Sequence, residues 1–194
     1  MIAMLRPALA MVGSMTLLLG LLLPLAFTGF AQLVLPGPAN GSLVAAGGQV
    51  VGSALLGQDF TAARYFQPRP SATTEPDPAQ PGSTRAAPYN GAASAASQAG
   101  PTSAALLETL RGRVAAAGPA PVPADAVTAS ASGLDPHVSP ANAARQVARV
   151  AAARGLPEAR VRALLEARTE GREWGLFGEP RVNVLGLNLA LDGL

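Results

Sequence analysis

The chain has 194 residues, enough for one membrane anchor and one folded domain but too few for two large domains. It contains no cysteine, which excludes disulfides, thiol catalysis and cysteine-ligated zinc. Its 14 basic side chains stand against 12 acidic ones. From Asp59 onward the two signs are interspersed, so the sequence predicts no surface for nucleic acid.

An almost wholly apolar segment runs over residues 8–35, and no charged side chain occurs between Arg6 and Asp59. A bilayer core of roughly 30 Å requires about 20 helical residues, so this segment is long enough to span a membrane. Pro24 within it favours a kinked helix that packs against other helices. The alternative is a cleaved signal peptide processed near residues 29–31, although the apolar stretch is longer than such a signal requires.

The orientation of the span follows from very few charges. Arg6 and the amino terminus precede it, and no arginine follows it until Arg64. The positive-inside rule then predicts a cytoplasmic N-terminus over 1–7, a transmembrane helix over 8–35 and an extracytoplasmic domain over 36–194. A cleaved signal would lead the domain to the same compartment.

Two segments after the span differ sharply in composition. Short β-prone runs at 43–44 and 49–51 flank Gly47-Gly48, which predicts a hairpin. Residues 67–101 carry many prolines together with Gly, Ser, Ala and Thr. Such a segment buries too little apolar surface to fold alone, and it is predicted to be a long surface loop, partly disordered.

Helical periodicity predicts a helix over 102–117, ended by Gly118. A stiff connector is expected after it, because prolines recur at Pro119, Pro121 and Pro123. The inward face of this helix is expected to hold four apolar side chains, Leu106, Leu107, Leu110 and Val114. The β-capable run at 127–132 predicts a short strand.

A further helix begins at Ser139, an N-cap followed by Pro140, and ends at Gly155. Its small apolar face is expected to pack closely, and the polar side chains that are expected to point away are Arg145, Gln146 and Arg149. Another helix is predicted over 157–169, and the C-terminal segment predicts a strand near 182–184 followed by a helical turn or two.

Together these elements predict an α+β fold. A single N-terminal transmembrane helix is followed by a small extracytoplasmic α+β domain with short strands and three or more helices.

Catalytic and metal sites are disfavoured by the residue inventory. His137 is the only histidine, which excludes a metal site with two histidines. Asp135 and His137 could be a metal or general-base fragment, but a structural loop before a capped helix is the simpler interpretation. A hydrolase using Ser130 or Ser132 with His137 lacks the G-x-S-x-G motif, and no phosphate-binding glycine loop is present. The sequence therefore predicts a non-catalytic domain without a metal site.

Five segments in order carry a resemblance to a known family: residues 40–44, 51–60, 65–72, 127–140 and 178–185. Two of them read Val-Thr-Ala-Ser-Ala-Ser-Gly-Leu-Asp-Pro-His-Val-Ser-Pro and Gly-Glu-Pro-Arg-Val-Asn-Val-Leu. Together the five resemble the C-subunit family of the Kdp potassium-transporting ATPase. The resemblance covers nearly the whole chain, including its single N-terminal span.

The resemblance implies an accessory subunit of an inner-membrane complex. In that family a channel-like subunit selects potassium, a P-type subunit hydrolyses ATP, and a very small peptide subunit completes the assembly. The C subunit is required for assembly and is described as a catalytic chaperone that raises the ATP affinity of the hydrolysing subunit. This chain alone is expected to bind no cofactor, with ATP and potassium acting at the level of the complex.

The predicted orientation places the domain on the opposite side of the membrane from ATP, so coupling is expected to pass through membrane helices or the potassium subunit. A cap near the external mouth of that subunit is favoured. The residues expected to contact partners are Gln58, Arg69, Asp135 and Asn183. The alternative is a membrane-tethered extracytoplasmic binding module with no ATPase partner.

Overall fold

The computed structural model describes residues 2–118 and 121–194. The chain divides into two compact units, of which the first ends at Leu43 and the second comprises Val44–Leu194. Each unit has its own architecture. The first is helical, and the second combines helices with short antiparallel strands.

The first unit is an apolar helix followed by one short turn of helix. It consists of α1 (Ile2–Met15), a π-helical segment (Thr16–Leu22), α2 (Leu23–Val34) and the short α3 (Pro36–Ala39). The stretch Met4–Val34 contains an 18-residue window with a mean hydropathy of 2.1, and it is long and apolar enough to cross a membrane. A single N-terminal apolar helix, as predicted, is therefore present.

The π-helical segment ends beside Pro24. A proline inside a helix has no N–H, and its ring clashes with the carbonyl four residues earlier, which here belongs to Gly20. In the wider π-helical turn, the Leu23 N–H donates to the carbonyl of Leu18, five residues earlier. The chain thus has a widened turn just ahead of Pro24, and the kink predicted from this proline stays a prediction.

The predicted hairpin is present, and the unit boundary falls after the first residue of its first strand. Strand β1 (Leu43–Ala46) pairs with β2 (Gln49–Ser53). Gly47 and Gly48 form the turn with φ values of 59° and 80°. A two-residue turn with two positive φ angles matches the twist of a hairpin, and glycine adopts it without a steric penalty.

The proline-rich segment contains regular structure, contrary to the expectation of an irregular loop. Strand β3 (Thr74–Pro76) pairs antiparallel with β4 (Thr84–Ala86). The segment also docks on the rest of the unit, because the Ala95 N–H donates to the Ser132 carbonyl over 3.0 Å. Its proline content did not reveal these main-chain bonds.

Helix α4 (Ala104–Ala117) lies where it was predicted. Its N-cap is Ser103, and Gly118 ends it with a φ of 92°. The predicted inward face is only partly correct. Leu107 and Val114 are 48% and 43% exposed, whereas Leu106 and Leu110 are half-buried.

The predicted strand at 127–132 is wrong, because a short helix, α5 (Ala124–Val127), is followed there by irregular backbone. The Ser130 and Ser132 side chains accept hydrogen bonds from the main-chain N–H groups of Gly133 and Leu134. Such local bonds compete with strand pairing. Pro119 of the predicted connector lies outside the described residues.

The core is built by the last third of the chain. Its elements are β5 (His137–Val138), α6 (Pro140–Arg154), α7 (Glu158–Ala167), β6 (Thr169–Glu170), β7 (Arg181–Asn183) and α8 (Val184–Asp192). The three strands form an antiparallel sheet in the order β5-β7-β6, with Val182 opposite both Val138 and Thr169. Apolar side chains from α6, α7 and α8 cover this sheet together with Phe66.

The boundaries of α6 are as predicted. Ser139 Oγ accepts a hydrogen bond from the Asn142 N–H over 3.0 Å, Pro140 is the first helical residue, and Gly155 adopts the left-handed conformation. The expectation that its polar face points to solvent is wrong. Gln146 is 6% exposed and exchanges two hydrogen bonds with the main chain of Gln67.

Candidate functional site

Two of the four predicted contact residues form an ion pair. Arg69 Nη1 lies 2.8 Å from Asp135 Oδ2, and both side chains are largely buried, with 22% and 28% exposure. The other carboxylate oxygen of Asp135 accepts the main-chain N–H of His137 over 3.0 Å. This oxygen also lies 3.6 Å from His137 Nδ1. The carboxylate therefore joins the segment before α6 to the start of the proline-rich segment.

The carboxyl group of Asp135 is held ionised. Its partial burial acts to raise the pKa, but hydrogen bonds from His137 and then Arg69 outweigh that effect and lower the pKa to about 2. A carboxylate with so low a pKa is a poor general base near neutral pH. The simpler interpretation of Asp135 and His137 as parts of a structural loop agrees with this geometry.

Tyr89 supports the ion pair and was not singled out from the sequence. Its hydroxyl donates to the main-chain carbonyl of Arg69 over 2.6 Å. Burial raises the pKa of Tyr89, and the negative charge of Asp135 raises it further. The ring packs so closely on Gly57 that a Cβ at that glycine would overlap it. The only sequence signal was a lone aromatic residue in a segment rich in proline and alanine.

Gln58 bonds to the main chain of β2, and Asn183 bonds to the main chain of the segment that follows it. Gln58 Nε2 donates to the Val51 carbonyl over 2.6 Å, and Asn183 Nδ2 donates to the Ala54 carbonyl over 2.9 Å. Asn183 Oδ1 also caps α8 by accepting the Gly186 N–H. These bonds position the turn after β2, at which Leu55 and Leu56 are 61% and 40% exposed.

The structure therefore gathers all four residues around one surface, which we call the leucine-turn surface and define by residues 51–58, Arg69, Asp135 and Asn183. A cavity of about 560 Å³ opens there, and Leu55, Leu56, Arg69 and Asp135 are among its lining residues. Each of the four side chains makes at least one hydrogen bond or ion pair within the chain, and the four therefore shape this surface. The buried Arg69 Nε has no hydrogen-bond partner among the described residues. Whether the four side chains touch a partner stays a prediction.

Serine chemistry is not supported at this surface. Ser130 and Ser132 bond to the nearby main chain, and their hydroxyls lie 3.5 Å from each other. Within the described ranges 2–118 and 121–194, no group of three or more His, Asp or Glu side chains is placed to hold a metal ion. The arrangement can present a shaped surface, and it offers no nucleophile paired with a base.

A second feature was missed by sequence reasoning: a basic cavity of about 480 Å³, defined by Arg113 of α4 and by Arg145 and Arg149 of α6. Gln67 and Gln146 also line it. Among the described residues, these three arginines make no ion pair with a carboxylate. The sequence signal was a pair of arginines one helical turn apart on α6.

The guanidinium groups of the basic cavity are held by main-chain carbonyls. Arg113 donates to the Val127 carbonyl and Arg145 to the Ala117 carbonyl, each over 2.8 Å. Arg149 donates to the carbonyls of Ala63 and Tyr65. Burial lowers the pKa of Arg149, and the nearby charge of Arg145 lowers it further. An anion in this cavity would relieve the repulsion between like charges.

Comparison with known proteins gives one consistent result. The KdpC family model, described as "K+-transporting ATPase, c chain", matches residues 5–193. A protein of Methylorubrum populi named "Potassium-transporting ATPase KdpC subunit" is 54% identical and is aligned over 100% of this chain and 98% of its own length. Proteins with the same name from Methylobacterium nodulans and Rhodopseudomonas palustris BisB5 are 55% and 53% identical. Their alignments cover 100% and 99% of this chain, respectively, and 98% of the length of each relative.

Proposed function

Because this chain belongs to the family of the K+-transporting ATPase c chain, we propose that it is an accessory subunit of an ATP-driven potassium uptake complex. The observation that carries the proposal is the match over essentially the full length of relatives that bear the KdpC subunit name. The proposed partners are a channel-like potassium subunit, an ATP-hydrolysing P-type subunit and a small peptide subunit. The chain is not itself an enzyme in this proposal.

Assembly is the role that the architecture supports best. The apolar helix Met4–Val34 supplies a long membrane anchor, and its widened turn beside Pro24 suits packing against other helices. The leucine-turn surface presents exposed leucines from a turn fixed by side-chain bonds. In this proposal the span lies in the inner membrane, with residues 1–7 cytoplasmic and the bulk extracytoplasmic, near the external mouth of the potassium subunit.

The proposed function includes raising the ATP affinity of the hydrolysing subunit. With an extracytoplasmic domain the effect is allosteric and requires a different affinity for two states of the partner. A second candidate, direct contact with the phosphates of ATP, is favoured by the basic cavity. Arginine recognises phosphate well, but the described lining of the cavity includes no aromatic ring that could stack an adenine. It therefore fits a phosphate chain better than a whole nucleotide.

Co-purification tests the subunit assignment. The tagged chain is extracted in mild detergent from cells that express the complex, and the bound proteins are identified by mass spectrometry. We expect the ATP-hydrolysing and potassium-selecting subunits in constant ratio to the tagged chain. Recovery of the chain alone would overturn the assignment and favour a tethered binding module.

A single cysteine tests the side of the membrane. Ser97 is exposed and the chain has no native cysteine, so Ser97→Cys is a unique label position. We expect an impermeant thiol reagent to label it in intact cells. Labelling only after lysis would reverse the orientation and favour direct phosphate contact.

If Ser97→Cys is labelled only after lysis, a role of the basic cavity in nucleotide recognition can be tested in the whole complex. The double variant Arg113→Gln/Arg145→Gln should then raise the KM for ATP, whereas Arg162→Gln, an exposed arginine of α7, should leave it unchanged. An unchanged KM in the double variant would exclude the basic cavity from nucleotide recognition.

A further inference from the structure

The connection between β6 and β7 exposes the most prominent apolar group of the second unit. We call residues 173–177 the tryptophan turn. Trp174, Leu176 and Phe177 are 88%, 74% and 61% exposed, and Trp174 is the only tryptophan of the chain. Large apolar side chains that lie together on a surface mark interaction sites.

The tryptophan turn has a fixed backbone. The Glu173 N–H donates to the Phe177 carbonyl over 2.9 Å, and the Phe177 N–H donates back to the Glu173 carbonyl over 3.0 Å. The rings of Trp174 and Phe177 meet edge to face, with centroids 6.1 Å apart. The aromatic side chains are therefore presented in one arrangement before any partner binds, which lowers the entropic cost of docking.

Trp174 also has an unfavourable backbone conformation. Its φ is 53°, in the left-handed region that bulky side chains rarely adopt. Gly175 and Gly178, with φ values of 74° and 76°, complete the bend that turns the tryptophan outward. Strain of this kind at an exposed residue is typical of a functional position rather than of a stability element.

Ion pairs stiffen the base of the turn. Arg172 bonds both carboxylate oxygens of Glu179, over 2.9 and 2.8 Å. Arg181 pairs with Glu173 over 2.6 Å and with Glu170 over 3.0 Å. Three carboxylates thus stand against two guanidinium groups, and Glu173 and Glu179 are the more exposed members of their pairs. The apolar tip therefore rises from a slightly acidic base.

We propose that the tryptophan turn inserts into an apolar pocket with a neutral or basic rim on another protein subunit of the complex. This inference rests on the proposed function and adds the contact surface and the chemistry of its partner. The acidic base argues against an anionic bilayer surface, which attracts Lys and Arg instead. Tryptophan anchors placed in well-packed pockets supply a large share of the binding energy in protein interfaces.

Variants of the turn test this contact in the assembled complex. Trp174→Ser and Leu176→Ser change exposed side chains, so the chain should still fold. We expect each to lower the recovery of the identified partner subunits about tenfold relative to wild type. Leu107→Ser on α4 removes a 48% exposed leucine elsewhere and should retain recovery. Recovery within about twofold of wild type in both turn variants would overturn the docking contact.

The sole tryptophan distinguishes a protein partner from lipid. The wild-type chain alone is placed in liposomes of phosphatidylcholine with brominated acyl chains, where all tryptophan fluorescence comes from Trp174. We expect no quenching, and strong quenching would replace the protein partner with the bilayer. If the wild-type chain captures its partners and the turn variants do too, only this inference fails. If the wild-type chain captures no partner subunit, the proposed function itself fails.

Discussion

Asn188 of α8 makes both of its amide hydrogen bonds to the main chain of Phe66. Its Oδ1 accepts the Phe66 N–H over 2.8 Å, and its Nδ2 donates to the Phe66 carbonyl over 3.0 Å. Both residues are almost completely buried. The contact joins the C-terminal helix to a segment more than a hundred residues earlier, which fixes where the proline-rich segment begins on the core.

Replacing Asn188 by Ala should therefore destabilise the domain strongly. The change leaves a buried N–H and a buried carbonyl of Phe66 without partners, and each unsatisfied group costs about 1–3 kcal/mol. We expect a loss of roughly 3 kcal/mol, measured by denaturant unfolding of the purified full chain in detergent. Asn40→Ala, which removes an exposed bond to Pro36, serves as the control. A loss below about 0.5 kcal/mol in the Asn188 variant would contradict this role.

Gly57→Ala should disrupt the support of the leucine-turn surface. An added Cβ would overlap the Tyr89 ring and lie 2.8 Å from the main-chain oxygen of Asp135. Overpacking against a ring and a backbone atom should cost at least about 2 kcal/mol. Gly91→Ala is the matched control, because its Cβ would meet only Leu56 Cδ1 at 3.7 Å. Equal unfolding free energies for the two variants would show that the Tyr89 ring moves aside at little cost, and would contradict this prediction.

Asp135→Asn should destabilise the domain in a pH-dependent way. The folded pKa of Asp135 is about 2 against an ordinary value of 3.8, so its ionised form stabilises the fold above about pH 4. This contribution, of the order of 2 kcal/mol, is lost as the pH falls towards 2.

The difference in unfolding free energy between wild type and Asp135→Asn should accordingly be largest near pH 7 and vanish near pH 2. Glu108→Gln, on the exposed face of α4, should show no such pH dependence. A difference that stays constant from pH 7 to pH 2 would mean that the carboxylate charge contributes nothing.

Ser139→Ala should weaken the start of α6 more than Ser103→Ala weakens the start of α4. Ser139 Oγ accepts the Asn142 N–H and donates to Asp125 over 2.9 Å in a part-buried network. Ser103 Oγ makes the single longer bond from the Leu106 N–H over 3.3 Å. We expect losses of about 1–2 and about 0.5 kcal/mol, respectively. Thermal unfolding of the two variants compares them directly, and the reverse order would contradict the role of the network.

Structural features that depend only on residues close together in the chain were predicted well. Ser139, Pro140 and Gly155 mark the ends of α6 because capping and termination depend on neighbouring backbone groups. Gly47 and Gly48 identified the hairpin for the same reason. The apolar run up to Leu35 required no tertiary information, since the length of a span follows from composition alone.

Errors arose where a partner from elsewhere in the chain decided the outcome. Gln146 and Arg149 looked like a solvated helix face, yet both bond to main-chain groups near Phe66. The prediction of a strand at 127–132 fails because serine side chains satisfy the local backbone, and no strand within residues 2–118 and 121–194 pairs with this segment. Helical and strand periodicity reports which face is polar, but it cannot report what a polar side chain will bond to.

The sequence by itself determined the N-terminal apolar segment, the ends of α6 and the family, since each depends on residue order along a short stretch or on the order of short motifs. Only the tertiary structure decided that Gln58, Arg69, Asp135 and Asn183 meet around one turn, and that Arg113 joins Arg145 and Arg149 at one cavity. The physical reason is that hydrogen bonds and ion pairs act over a few ångströms, whichever residues the fold brings within that distance.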